Sequence, residues 1–169
     1  RSAMQPIGLP HTICVNRAGK RFGNEAFYRE FLYKIDAIDG GTQTHPNFPC
    51  WAILDSQARE KYPFGSIMPG QEFPEGMAQQ ADTLAALAAK IGVDAANLQE
   101  TVARFNANAE KGVDPDFARG THAWSAYMSG DKFHKPNPNL GPLVKPPFYA
   151  VELVRTGGSA IPAAGVVVD

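Results

Sequence analysis

Between Asp82 and Gly112 the sequence dictates most of its own local structure. Leu84, Leu87, Ala88 and Ile91 recur on one face of a helix, and Leu98, Val102, Phe105 and Ala109 on one face of another. Asp82 and Asp94 are expected to cap the two starts, and Gly92 and Gly112 to end them. The Gly-Val-Asp link is short enough to force an antiparallel pair. Each buried Leu or Phe stabilises by about 1.5–3 kcal/mol, so the pair is a core in its own right.

Elsewhere the chain is heavily punctuated. Its 14 prolines and 16 glycines form a larger share of the 169 residues than the usual combined figure of about 12%. They cluster over 63–80 and 113–147, which predicts long ordered loops. Residues 11–22 read as a hairpin turning at Asn16–Gly19. Asn24 reads as the N-cap of a helix bearing Phe27, Phe31 and Ile35, stopped at Asp39–Gly41. Cys50–Leu54 suits a buried strand, and Asp55 caps a short helix that Pro63 ends. Phe148–Val154 alternates as a strand, a glycine-rich loop follows, and 165–169 is a further strand. The chain closes on that apolar run, so a larger parent is expected. The fold class is α+β.

Charge and cysteine content narrow the function. With 16 basic and 17 acidic side chains the formal charge is −1, which removes the counterion-release drive for nucleic acid. No apolar stretch nears the roughly 20 residues of a membrane span. Cys14 and Cys50 cannot build a disulfide framework, so a cytoplasmic protein is expected. His11 and Cys14 are the only closely spaced metal-ligand pair, and no metal site is expected.

Four blocks then stand in a specific order: VNRAGKRFGNE (15–25), WAILDSQAREKY (51–62), ADTLAALAAKIGVDAANLQETVARFNANAEKG (81–112), and PPFYAVELV (146–154) with GVVVD (165–169). In that order the chain resembles the substrate-capping domain of the flavoprotein family that includes fumarate reductases, succinate dehydrogenases and ketosteroid dehydrogenases. The resemblance implies an α+β cap inserted into a Rossmann-like FAD domain and closing over the isoalloxazine. Residues 23–147 would be the cap, 1–22 a stub and hairpin bordering the FAD domain, and 148–169 the return strands. No G-x-G-x-x-G follows a strand here, so FAD would be bound mainly by sequence absent from this chain. Alone it would be inactive, and bare strand edges at 1–15 and 148–169 would favour self-association.

The resemblance also implies roles. Fumarate reductases place an arginine proton donor a few residues past Asn-Glu, which falls on Arg29. Their paired histidines after the FYAVEL strand are replaced here by RTGGSAIPAA (155–164). Ketosteroid dehydrogenases place a tyrosine in the same stretch, which falls on Tyr28, and the run DKFHKPNPNLGPL (131–143) resembles theirs. The implied reaction takes two hydrogens from adjacent carbons beside a ketone, a proton to Tyr28 and a hydride to the flavin. A phenol of pKa about 10 needs help to act as a base; a helix first turn and Arg29 both lower it. Asn24, Glu25, Gly157 and Gly158 are expected at the cofactor. Tyr149, Ser159 and Ile161 are expected at a small hydrophobic substrate such as a steroid. Plainer readings stand beside these: Tyr28 as a core tyrosine, Arg29 as a solvated charge, Glu25 paired with Arg17, Lys20 or Arg21, and Tyr149 as a strand residue packed on the FAD domain. A non-catalytic binding or assembly domain is the third alternative.

Overall fold

In a computed structural model that describes residues 7–154, with the Tyr28 side chain excepted, the element order is β1 (Thr12–Asn16), α1 (Tyr28–Asp36), β2 (Cys50–Asp55), α2 (Ser56–Lys61), β3 (Gln79–Ala81), α3 (Leu84–Ile91), α4 (Ala95–Ala109), α5 (Ala123–Ser129) and β4 (Phe148–Leu153). Gly157, Gly158, Ser159, Ile161 and the strand expected at 165–169 lie outside the described residues. The helix pair forms as its periodicity requires. Leu98, Val102, Phe105 and Ala109 are the buried residues of α4, Asp94 accepts from the Asn97 N–H at its start, and Gly92 ends α3 in the left-handed region at φ 67°. Thr83, not Asp82, caps α3, because its hydroxyl reaches the Ala86 N–H at 3.1 Å.

The four strands form one antiparallel sheet in the order β1-β2-β4-β3. Alternation along the strands sorts the core into two faces. Ile13, Val15, Trp51, Ile53, Phe148 and Ala150 pack with α3 and α4. Cys14, Cys50, Ala52 and Leu153 face the other way and pack with Phe31 and Ile35 of α1. Farther along that second face, Leu54 and Val151 pack with Ala58 of α2 and with Tyr62 and Phe64 just beyond it. No described helix is long and apolar enough to cross a membrane.

Several local expectations are corrected. The Asn16–Gly19 turn forms, with the Asn16 N–H bonded to the Lys20 carbonyl at 3.0 Å, yet 20–22 make no second strand. β1 takes β2 as its partner instead, since Cys50–Asp55 is buried throughout and offers a longer apolar ladder. Asn24 does not cap α1. Its side chain accepts from the Ala26 N–H at 3.0 Å and its carbonyl from the Phe27 N–H at 3.1 Å, making a turn that delays the helix to Tyr28. The loop at 63–80 runs into β3 at Gln79, and that at 113–147 contains α5.

The bare strand edges expected near both ends are also partly closed. On the outer side of β1, Arg119 donates to the Thr12 carbonyl at 2.8 Å and Glu25 accepts from the Cys14 N–H at 3.1 Å. β4 lies between β2 and β3, which covers Phe148–Ala150. An ion pair thus stands where a fifth strand would add.

Candidate active site

The site is built on the turn that launches α1. Glu25 is 1% exposed. Its Oε1 accepts from Arg21 Nε at 2.8 Å and its Oε2 from Arg21 Nη2 at 2.7 Å, while Arg119 Nη1 stands 3.3 Å from Oε2. Arg21 also grips both oxygens of Asp114, at 3.1 and 2.9 Å, and Arg119 Nη2 donates to the Leu9 carbonyl at 2.8 Å. Burial opposes the charge on Glu25, but Arg21 and then Arg119 hold its carboxyl below the ordinary range. Burial likewise lowers Arg119 against the pull of Glu25. Two cations and two anions share this pocket, so its net charge is zero. Of the three partners expected for Glu25, Arg21 is the one found.

This network fixes the residues just ahead of the helix. Tyr28 is the first residue of α1 and Arg29, which is exposed, the second. α5 is bound to the same turn at both of its ends. Ser129 Oγ donates to the Ala26 carbonyl at 3.0 Å, and the His122 ring lies 5.7 Å from that of Phe27. α5 inverts the usual pattern of a surface helix, burying Ser125 and exposing Trp124, Tyr127 and Met128. Those three share one face by their i, i+3, i+4 spacing. Ser125, Ser129 and His122 lie on the opposite side, so α5 turns its polar face to the start of α1 and its apolar face to solvent.

Tyr149 stands elsewhere. It lines a cleft of about 560 Å³ with Arg59, Gln71, Phe73 and Pro147. The Arg59 guanidinium lies 4.3 Å over the Phe73 ring and donates to the Gln71 carbonyl, and burial pushes the Tyr149 phenol up. α1 packs against Leu153 at the other end of β4. Four residues at about 3.3 Å each separate the two by about 13 Å. Tyr149 is thus not brought together with Asn24, Glu25, Tyr28 and Arg29, which are near neighbours in sequence. Arg119, Asp114 and the α5 stripe were not anticipated. Nothing in the local sequence marks them, since their partners lie far away along the chain.

Carboxylate pairing sets a pH dependence. Burial opposes ionisation of Asp131, but Lys61 at 2.7 Å and the Tyr62 hydroxyl at 2.8 Å bring it down to about 2. Glu25 and Asp114 are shifted the same way, against burial, chiefly by Arg21. Groups depressed in the folded state add stability that is complete above their unfolded values, about 3.9–4.3, and is lost as pH falls through the folded ones. The urea midpoint is therefore expected to hold steady between about pH 7 and 5 on these groups and to drop from about 4.3 toward 2. A midpoint that stays level or rises through that window contradicts the assignment.

The described residues make no cradle for a dinucleotide. Their sheet is wholly antiparallel, whereas such a cradle needs a parallel βαβ unit with its glycine turn. Similarity to known proteins gives the family. The chain is 43% identical over 160 residues to 3-oxosteroid 1-dehydrogenase of Mycobacterium tuberculosis, covering 90% of this chain and 28% of that one. It is 41% identical over 172 residues to 4-oxocyclohex-2-ene-1-carboxylate 5-dehydrogenase of Sinomonas cyclohexanicum, covering 98% and 28%. Among solved structures, 3-ketosteroid delta1-dehydrogenase from Sterolibacterium denitrificans, in complex with 1,4-androstadiene-3,17-dione, superposes with a TM-score of 0.77 at 37% identity, covering 88% and 28%. The chain thus spans somewhat over a quarter of the length of these relatives. Residues 6–169 match the family described as FAD binding domain, and the chain belongs to that family.

Proposed function

We propose that this chain is the substrate-capping part of a flavin-dependent dehydrogenase of steroid-like ring ketones. The observation that carries the reading is the start of α1, where Tyr28 and Arg29 open the helix on a turn locked by a buried ion network. Tyr28 is the base that takes a proton from the carbon beside the ketone. The helix N-terminus and Arg29 favour its phenolate. FAD, bound mainly by sequence outside this segment, supplies the acceptor for the second hydrogen with its electron pair. Residues 23–147 form the cap, while 1–22 and 148–169 lead to the FAD domain, so the segment alone is inactive. Asn24 sets the turn, Gly157 and Gly158 approach the cofactor, and Ser159 and Ile161 meet the substrate.

Charge pairing beside the turn supports a ring ketone over a small dicarboxylate. A dicarboxylate requires uncommitted cations, whereas Arg21 and Arg119 are bound to Glu25 and Asp114. The experiment is to assay the full-length, FAD-loaded protein with an artificial electron acceptor and a 3-oxosteroid, and with fumarate and a reduced dye. Oxidation of the ketone is the expected result. Reduction of fumarate with no ketone oxidised would transfer the reaction to Arg29 as proton donor. A flavin inert to every substrate would favour a binding or assembly role.

A further inference from the structure

We propose that Glu25 is a positioning residue for the reaction groups on α1, anchored by Arg119; the proposal rests on the role given to Tyr28 above. α1 begins with no side-chain cap, for Phe27 occupies the N-cap position and makes no such bond. Something else must decide where the helix starts. Asn24, Glu25 and Ala26 are all buried, and the Asn24 turn fixes their path. Glu25 then ties that path to the sheet, accepting from the Cys14 N–H on the free side of β1. Arg119 completes the tie by holding the Glu25 carboxylate and the Leu9 and Thr12 carbonyls in one grip.

Three residues of chain reach at most about 11 Å, so a shift at Glu25 is passed on to Tyr28 with little slack. Misplacing a reacting group by about 1 Å can slow a reaction about a hundredfold. The charges of Arg21, Arg119, Glu25 and Asp114 cancel, so the cluster contributes geometry and leaves electrostatic help to Arg29. It also faces α5 through the same turn, since Ser129 is bonded to the Ala26 carbonyl. One buried carboxylate therefore sets the register of both elements that border the site.

The test uses the full-length, FAD-loaded protein and the stopped-flow rate of flavin reduction by a 3-oxosteroid. Glu25→Asp keeps the charge but falls one methylene short, and is expected to slow flavin reduction roughly tenfold or more with the KM little changed. Glu25→Gln keeps the length and one acceptor, and is expected to recover more of the rate although it lacks the charge. In a Tyr28→Phe background both changes should lose most of their effect, because the group being aimed is gone. A role confined to stability gives the opposite pattern: the melting temperature follows charge, with Asp above Gln, and flavin reduction in the folded enzyme is untouched. That pattern overturns the proposal, as does an equal loss with and without Tyr28. Full rate in Tyr28→Phe alone, beside a slow Glu25→Asp, would sink the reading of Tyr28 and leave Glu25 aiming Arg29. Should neither Glu25 variant fold, Asp114→Asn loosens Arg21 while leaving Glu25 in place. It is expected to slow flavin reduction by a smaller factor, and an unchanged rate there also overturns the proposal.

Discussion

Replacing Tyr28 with phenylalanine is expected to slow ketone dehydrogenation by about a hundredfold to ten-thousandfold, the usual contribution of a positioned acid or base. The substitution removes one oxygen and keeps the ring, so the helix start and the bound flavin's visible spectrum should survive. A base acts in the transition state far more than in the ground state, so the loss should fall on kcat with the KM nearly constant. At about 1.4 kcal/mol for each factor of ten, the change corresponds to about 3–5.5 kcal/mol of barrier. Steady-state kinetics with a 3-oxosteroid and an artificial acceptor measures it. Undiminished turnover would remove Tyr28 from the chemistry, whatever the ketone.

The largest effect on stability is expected at Arg119. It is 0% exposed, and its guanidinium serves Glu25 and the carbonyls of Thr12 and Leu9 together. Arg119→Met fills much of the same volume but leaves two carbonyls unsatisfied and upsets the charge balance around Glu25. Removing one partner of a buried ion pair costs about 3–5 kcal/mol, a large part of the 5–15 kcal/mol that holds a typical domain together. Neutralising Glu25 as well, in the double variant Arg119→Met/Glu25→Gln, should restore part of the loss, because Arg21 and Asp114 then balance and the buried cluster returns to zero net charge. Urea unfolding of the two variants and their parent gives the comparison. A single variant within about 1 kcal/mol of the parent would mean that the pair is dispensable.

How much of this was legible in the sequence depended on whether the signal was local. α4 was readable at its start and along its face because its four buried residues keep one helical face and Asp94 sits beside the N–H it caps, though it ends at Ala109, ahead of the Gly112 stop. β2 was readable as a short apolar run and β4 by its alternation. α5 was not, because it buries a serine and exposes its large apolar residues, the reverse of the rule by which surface helices are found. β3 was not, since Gln79 and Gln80 are exposed and the strand exists only by pairing with β4. At the site, Glu25 and Arg21 stand at i and i+4 spacing and could be paired on paper. Arg119 reaches Glu25 from a loop beyond α4, and no periodicity announces such a contact. Asn24 carried the right chemistry but bonds within its own turn, which moved the helix start onto Tyr28.

The two faces of the sheet have separate duties. The α3–α4 pair rests on one side, while α1, with the residues proposed for chemistry, rests on the other. The sheet is thus a bulkhead except where Phe105 of α4 meets Arg21 and Arg119 at 5.0 and 5.7 Å, and substitutions on the outer surface of the helical hairpin can be accumulated for heat tolerance with little consequence for turnover. Directed evolution of such an enzyme would do well to begin there and to leave the turn before α1 untouched.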